Sequence, residues 1–171
     1  MTISIREANL TFPARISKSE ARVHFYQEAF AENRHRVYTL AFLMTDNELV
    51  AEELMMNTFC RAFAISADPD AESVDRALVT ELRELMPLGS LTLKCAPCSE
   101  VISLRHNTKR VDLERAVVQL PTTERMVFLL HDVERYDHAR ISRILGLNEQ
   151  ESAYGLHQAR LRLRELLAAM V

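Results

Sequence analysis

Residues 137–163, DHARISRILGLNEQESAYGLHQARLRL, decide the fold. Asp137 can cap a helix over 138–145. Gly146 then stands where such a helix ends, in left-handed backbone that glycine adopts without a Cβ penalty. Asn148 caps a second helix over 149–169. Ile141, Ile144 and Leu145 fall at helical spacing on the first helix, and Leu156, Ala159 and Leu163 on the second, so each has one apolar side to bury against the other. A helix that stops at Gly146 and restarts at Asn148 has the layout of a helix-turn-helix. On spacing alone the plainer reading, two packed helices with no DNA role, has the stronger claim, because short turns join helices in any bundle.

The same periodicity extends towards the N-terminus. Val111, Leu113, Val117 and Val118 mark a helix over 111–119. Leu120-Pro121 opens another over 124–133, with Thr122 or Thr123 as its cap. Further back, Phe25, Phe30, Val37, Leu40, Ala41 and Met44 define a helix over 21–44. After the break at Thr45-Asp46-Asn47 a second runs over 48–64, with Leu49, Leu54, Met55, Phe59, Ala62 and Phe63 broadly on one side. After Ala67-Asp68-Pro69-Asp70 a third follows over 71–86. No repeat and no low-complexity segment interrupts this order. The pattern predicts an all-α protein of two small helical domains, 19–88 and 109–171, joined by a linker over 89–108 and preceded by an N-terminal extension over 1–18.

Composition agrees. Only three glycines and five prolines punctuate 171 residues, which favours helices over a many-turned sheet protein. Hydrophobic residues are 48% and charged residues 26%, a balance that excludes wholesale disorder. No apolar run approaches the ~20 residues of a membrane span. The N-terminus has no apolar core of a secretory signal, so a cytoplasmic protein without membrane partners is expected. The net charge of −3 sets up no broad positive field to attract nucleic acid. Its distribution is uneven: residues 67–108 carry four Lys or Arg against seven Asp or Glu, while residues 109–171 carry ten against nine. DNA contact would have to come from local clusters.

The residues of the C-terminal half narrow the choice. Leu120-Pro121, Thr123-Glu124-Arg125, Val127-Phe128-Leu129-Leu130, Asp132-Val133-Glu134, Ile141, Ile144-Leu145-Gly146-Leu147, Leu156-His157, Ala159-Arg160 and Leu163-Arg164 resemble, in order and spacing, region 4 of the bacterial RNA polymerase sigma-70 family. RVYTLAFLMTDNELVAEELMMNTFCRAF, residues 36–63, is similar to region 2 of the same family. Two matches in the family's order, on either side of a linker, resemble a small sigma factor of the extracytoplasmic-function kind.

The resemblance implies a division of labour. The helix over 48–64 would hold core RNA polymerase, with Glu52, Glu53, Asn57 and Arg61 as a polar rim around Leu54 and Met56. The helix-turn-helix would bind the upstream (−35) promoter element through His138, Asn148, Gln150, Ala153, Tyr154, His157 and Arg160. Core polymerase, promoter DNA and an anti-sigma factor are the implied partners. The family usually has Gln where Met56 stands and Glu where Asn57 stands, so Met56 is expected to weaken or retune polymerase binding.

Two segments depart from the family further. Promoter opening needs aromatic faces for unstacked bases and cations for phosphates, yet no aromatic occurs between Phe63 and Phe128 and residues 68–75, DPDAESVD, are acidic. At the recognition helix, the family's run near TVKSR is occupied by Glu151-Ser152-Ala153-Tyr154-Gly155. Glu149 and Glu151 suit the helix dipole and oppose phosphate. Ser152 falls where the family buries Val, and Gly155 costs about 1 kcal/mol of helix stability relative to Ala. These departures favour a rival: a sigma-like decoy or adaptor that binds an anti-sigma factor or polymerase and has lost promoter recognition.

No nucleophile–base pair, glycine-rich phosphate loop or paired carboxylates point to catalysis, and no cofactor is expected. Cys95 and Cys98 form a Cys-x-x-Cys with His106 downstream. Linker cysteines account for them most simply. A closed zinc site would need two further ligands, and redox sensing stays open as a third role.

Overall fold

The computed structural model describes residues 18–93 and 108–170. Cys95, Cys98 and His106, the weak metal or redox candidates, lie outside the described residues. Seven α-helices and no strand make up the rest: α1 Lys18–Thr45, α2 Glu48–Ile65, α3 Ala71–Leu85, α4 Arg110–Val117, α5 Thr122–Phe128, α6 His138–Leu145 and α7 Glu149–Ala169. Beyond α5 the chain keeps coiling over Leu129–Val133 in wider π-helical turns. No described helix is long and apolar enough to cross a membrane.

The breaks fall where the capping residues put them. Asn47 accepts the Val50 N–H at 3.1 Å, Asp70 that of Ser73 at 2.8 Å and Asp137 that of Arg140 at 2.7 Å. Each satisfies a donor that the first helical turn leaves without an internal partner. Gly146 ends α6 at φ 72°. The expected threonine cap of α5 is not used: Pro121 precedes the helix, which starts at Thr122 with no side-chain cap. The two hydroxyls are engaged elsewhere, Thr122 donating to the Pro87 carbonyl and Thr123 accepting the Gly89 N–H at 3.1 Å.

α1, α2 and α3 form one group and α4 to α7 another, and a single hydrophobic core runs through both. Val37, Leu40 and Met44 of α1, Leu78 and Leu82 of α3, Met126, Leu129 and Leu130 around α5, and Ile141 and Leu145 of α6 are all fully buried. Each such side chain contributes roughly 1.5–3 kcal/mol of transfer free energy.

Polar contacts reinforce the join. Arg125 of α5 reaches across to the C-terminal carbonyls of α1, donating to Met44 at 2.7 Å and Leu43 at 3.4 Å, and also holds Leu120 and Val118 of its own group. Burial lowers its pKa from the usual arginine range, partly offset by Asp46. Arg83 of α3 caps the end of α6, donating to the Leu145 carbonyl at 2.7 Å. Asp75 is fully buried on α3. It accepts from Arg36 of α1, from the Tyr136 hydroxyl at 2.8 Å and from Arg140 of α6 at 3.3 Å. The guanidinium carbon of Arg140 sits over the Tyr136 ring, 3.6 Å from its centre. Burying a carboxyl group is costly unless donors surround it, and here they come from both groups.

Candidate nucleic-acid interface

α6 and α7 meet across the turn Gly146-Leu147-Asn148. Ile141, Ile144 and Leu145 of α6 are buried with Leu156, Ala159 and Leu163 of α7, the pairing that their spacing predicts. Asn148 and Glu151 form a capping box. The Asn148 carboxamide oxygen accepts the Glu151 N–H and the Glu151 carboxylate accepts the Asn148 N–H, each at 2.8 Å. Asn148, expected among the base contacts, therefore has its side-chain oxygen committed to starting α7.

Opposite the buried side, α7 presents Gln150, Ala153, Tyr154, His157 and Arg160, all exposed. Their spacing of three and four residues makes them one stripe, and Tyr154 keeps 39% of its surface accessible. Five of the seven residues expected at DNA thus share one open face. Arg160 is not a free cation on it. Its guanidinium forks onto Asp132 at 2.6 and 3.0 Å, and this bond raises its pKa against a smaller burial cost.

His138, at the first turn of α6, is only partly accessible. Its Nδ1 lies 3.0 Å from the Ser152 hydroxyl and its ring stacks on His131, with centres 4.8 Å apart. Burial lowers its pKa first and His131 adds to that, against the opposing pull of Glu149 and Asp137. Asp132 below is pushed up by burial, but its bonds from Arg160 and His131 more than offset this and hold it low. Ser152, in the family's buried apolar position, is indeed fully buried, and His138 supplies the partner its hydroxyl needs.

Gly155 has a reason that sequence alone did not supply. The segment 87–93 lies along α5 and α7, with Leu91 against Gly155: a Cβ there would stand 2.7 Å from Leu91 Cδ2. The fully buried Glu124 fastens the segment, one carboxylate oxygen accepting the backbone N–H groups of Thr92 and Leu93, both at 2.6 Å. Glu124 and Thr123 are structural anchors that the sequence reading missed. A carboxylate in the first turn of a helix looks like a dipole partner until the strap that it binds is seen.

On α2, Glu52, Glu53, Met56 and Asn57 are exposed, and Met56 keeps 52% of its surface accessible. Leu54 does not join them. At 3% exposure it belongs to the core, because its helical position points it at the α1–α3 side, and it drops out of the expected clamp surface. Arg61 is tied to α3, pairing with Glu81 and with Glu84 at 3.0 Å. Among the described residues no cluster of His, Cys, Asp and Glu suits a metal, and Cys60 is an exposed free thiol.

Residues 110–163 match the family described as sigma-70, region 4. No curated protein matches the chain. Among solved structures the fold is similar to that of the sigma factor RpoE of Bartonella quintana, determined in complex with the anti-sigma factor NepR. The TM-score is 0.64 at 15% identity over 84% of this chain and 96% of that one. At that identity the likeness is one of fold.

Proposed function

We propose that this chain, whose residues 110–163 match sigma-70 region 4, is an initiation factor of the extracytoplasmic-function type that brings core RNA polymerase to promoters. The observation that carries the reading is the open stripe Gln150-Ala153-Tyr154-His157 on the second helix of a region 4 helix-turn-helix. In this geometry the second helix enters the major groove and the first crosses the backbone. A glutamine can pair both hydrogen-bonding groups of an adenine edge, and Tyr154 and His157 add donors and acceptors one and two turns further on. Glu52, Glu53, Met56 and Asn57 on α2 form the surface offered to polymerase, an apolar centre inside a polar rim. The chain forms and breaks no bonds; it acts by recruitment, in the cytoplasm where polymerase and DNA meet.

Run-off transcription with purified core enzyme tests this. Adding the chain should create discrete starts that core alone lacks, and the double change Gln150→Ala with Tyr154→Ala should remove them while polymerase binding persists. The absence of any new start over core alone counts against it.

The decoy reading draws on Arg160 being neutralised by Asp132 and on Glu149 and Glu151 flanking the groove-facing end of α7. It expects a stable complex with an anti-sigma factor or polymerase and no DNA binding even at low salt, whereas a DNA reader loses affinity steeply as salt rises.

A further inference from the structure

The acidic middle of the chain has a partner within the molecule, and that partner is the helix-turn-helix. Glu72 of α3 receives the guanidinium of Arg143 as a fork, Nε at 3.2 Å on one oxygen and Nη2 at 3.1 Å on the other. The first oxygen also holds Arg76 at 2.7 Å, one turn along α3. The Arg143 bonds bring the Glu72 pKa down, against a small burial cost, and Arg76 and Arg140 add to this. On the next turn Asp75 takes Arg140. Arg140 and Arg143 are the arginines of α6. The first helix of a helix-turn-helix on DNA crosses the phosphate backbone, and a guanidinium grips phosphate with the same fork it offers a carboxylate. α3 therefore supplies from within the chain the anions that a duplex supplies from outside.

We propose that α3 is an autoinhibitory occupant of α6: with Glu72 on Arg143 and Asp75 on Arg140, the helix-turn-helix is withheld from DNA until α3 and α6 part. The proposal rests on reading α6 and α7 as the DNA-binding pair. It gives a use to an acidic, aromatic-free segment that has no chemistry for opening a duplex, since its charges match α6.

The experiment is fluorescence anisotropy of the full chain on a random-sequence duplex between 50 and 200 mM salt, because phosphate contacts ignore sequence. Glu72→Gln keeps the side-chain shape at a partly exposed position and removes the charge that holds Arg143. It should bind more tightly than the wild type at low salt. Its slope of log affinity against log salt should steepen by about 0.9 for the one freed contact, so the fourfold rise in salt costs it about 3.5-fold more affinity than the wild type. Adding Arg143→Ala to Glu72→Gln should restore wild-type behaviour. Equal affinity and slope for Glu72→Gln and the wild type overturn the proposal. So does a gain that survives Arg143→Ala, which would belong to the freed Arg76, and so does a lack of duplex binding by every form. A gain on the random duplex without any promoter-dependent start upholds the autoinhibition and sinks the initiation role. Promoter-dependent starts with no effect of Glu72→Gln do the reverse.

Discussion

Gly155 of α7 and His138 of α6 show how single positions in the helix-turn-helix are set by neighbours outside their own helix. An alanine at Gly155 adds about 1 kcal/mol of helix propensity, but its Cβ meets the tip of Leu91 at 2.7 Å, so that side chain must turn aside. In a Leu91→Ala background, Gly155→Ala should raise stability by up to about 1 kcal/mol, and in the wild type by less. Urea denaturation of the four chains measures the difference as the coupling between strap and helix. His138 answers to pH. Its folded pKa lies below the ordinary value, so the unfolded chain binds the proton more readily. Stability present above about pH 6.5 is therefore lost as pH falls through the histidine range. Thermal melts at pH 7.5 and 5.5 should show that loss, and His138→Gln should lessen it. The lowered carboxylates Asp70, Glu72 and Asp132 release their contribution only further down, as pH falls past about 4.

At the scale of elements, helix starts were legible wherever a short polar side chain preceded an apolar period, as at Asn47, Asp137 and Asn148. Thr122 and Thr123 carried the same signal and were claimed by the strap, a competition that no local pattern reports. Asn148 carried two expectations, cap and base contact, and the capping box makes them separable. Asn148→Ala should cost about 1 kcal/mol through the lost cap, and Asn148→Ser, which keeps an acceptor, should recover most of it in chemical denaturation. If DNA affinity returns with Ser as well, the residue serves DNA by starting α7; if only stability returns, its amide touches a base.

Over the whole molecule, Arg125 is the residue on which both helical groups converge. Its guanidinium meets carbonyls of Leu43, Met44, Val118 and Leu120 from two directions. Arg125→Leu leaves those carbonyls without their donor and should destabilise by about 2–4 kcal/mol. Arg125→Lys should recover only part of this, because a point ammonium with three donors cannot copy a planar fork with five. Equilibrium unfolding in urea checks both.

The amino-acid sequence by itself determined the all-α class, the seven helices and the apolar seam between α6 and α7, because periodicity, caps and the Gly146 turn act within a few residues. It also exposed the oddities: an acidic middle, and a serine at 152 and a glycine at 155 inside one helix. Their meaning was decided only by tertiary structure. Glu72 pairs with a residue 71 positions away and Asp75 with one 65 away, while Leu91 packs against Gly155. A charge or a missing Cβ has the same appearance in sequence whether it faces water, DNA or its own chain; the difference lies in which surface the fold brings within about 3–4 Å.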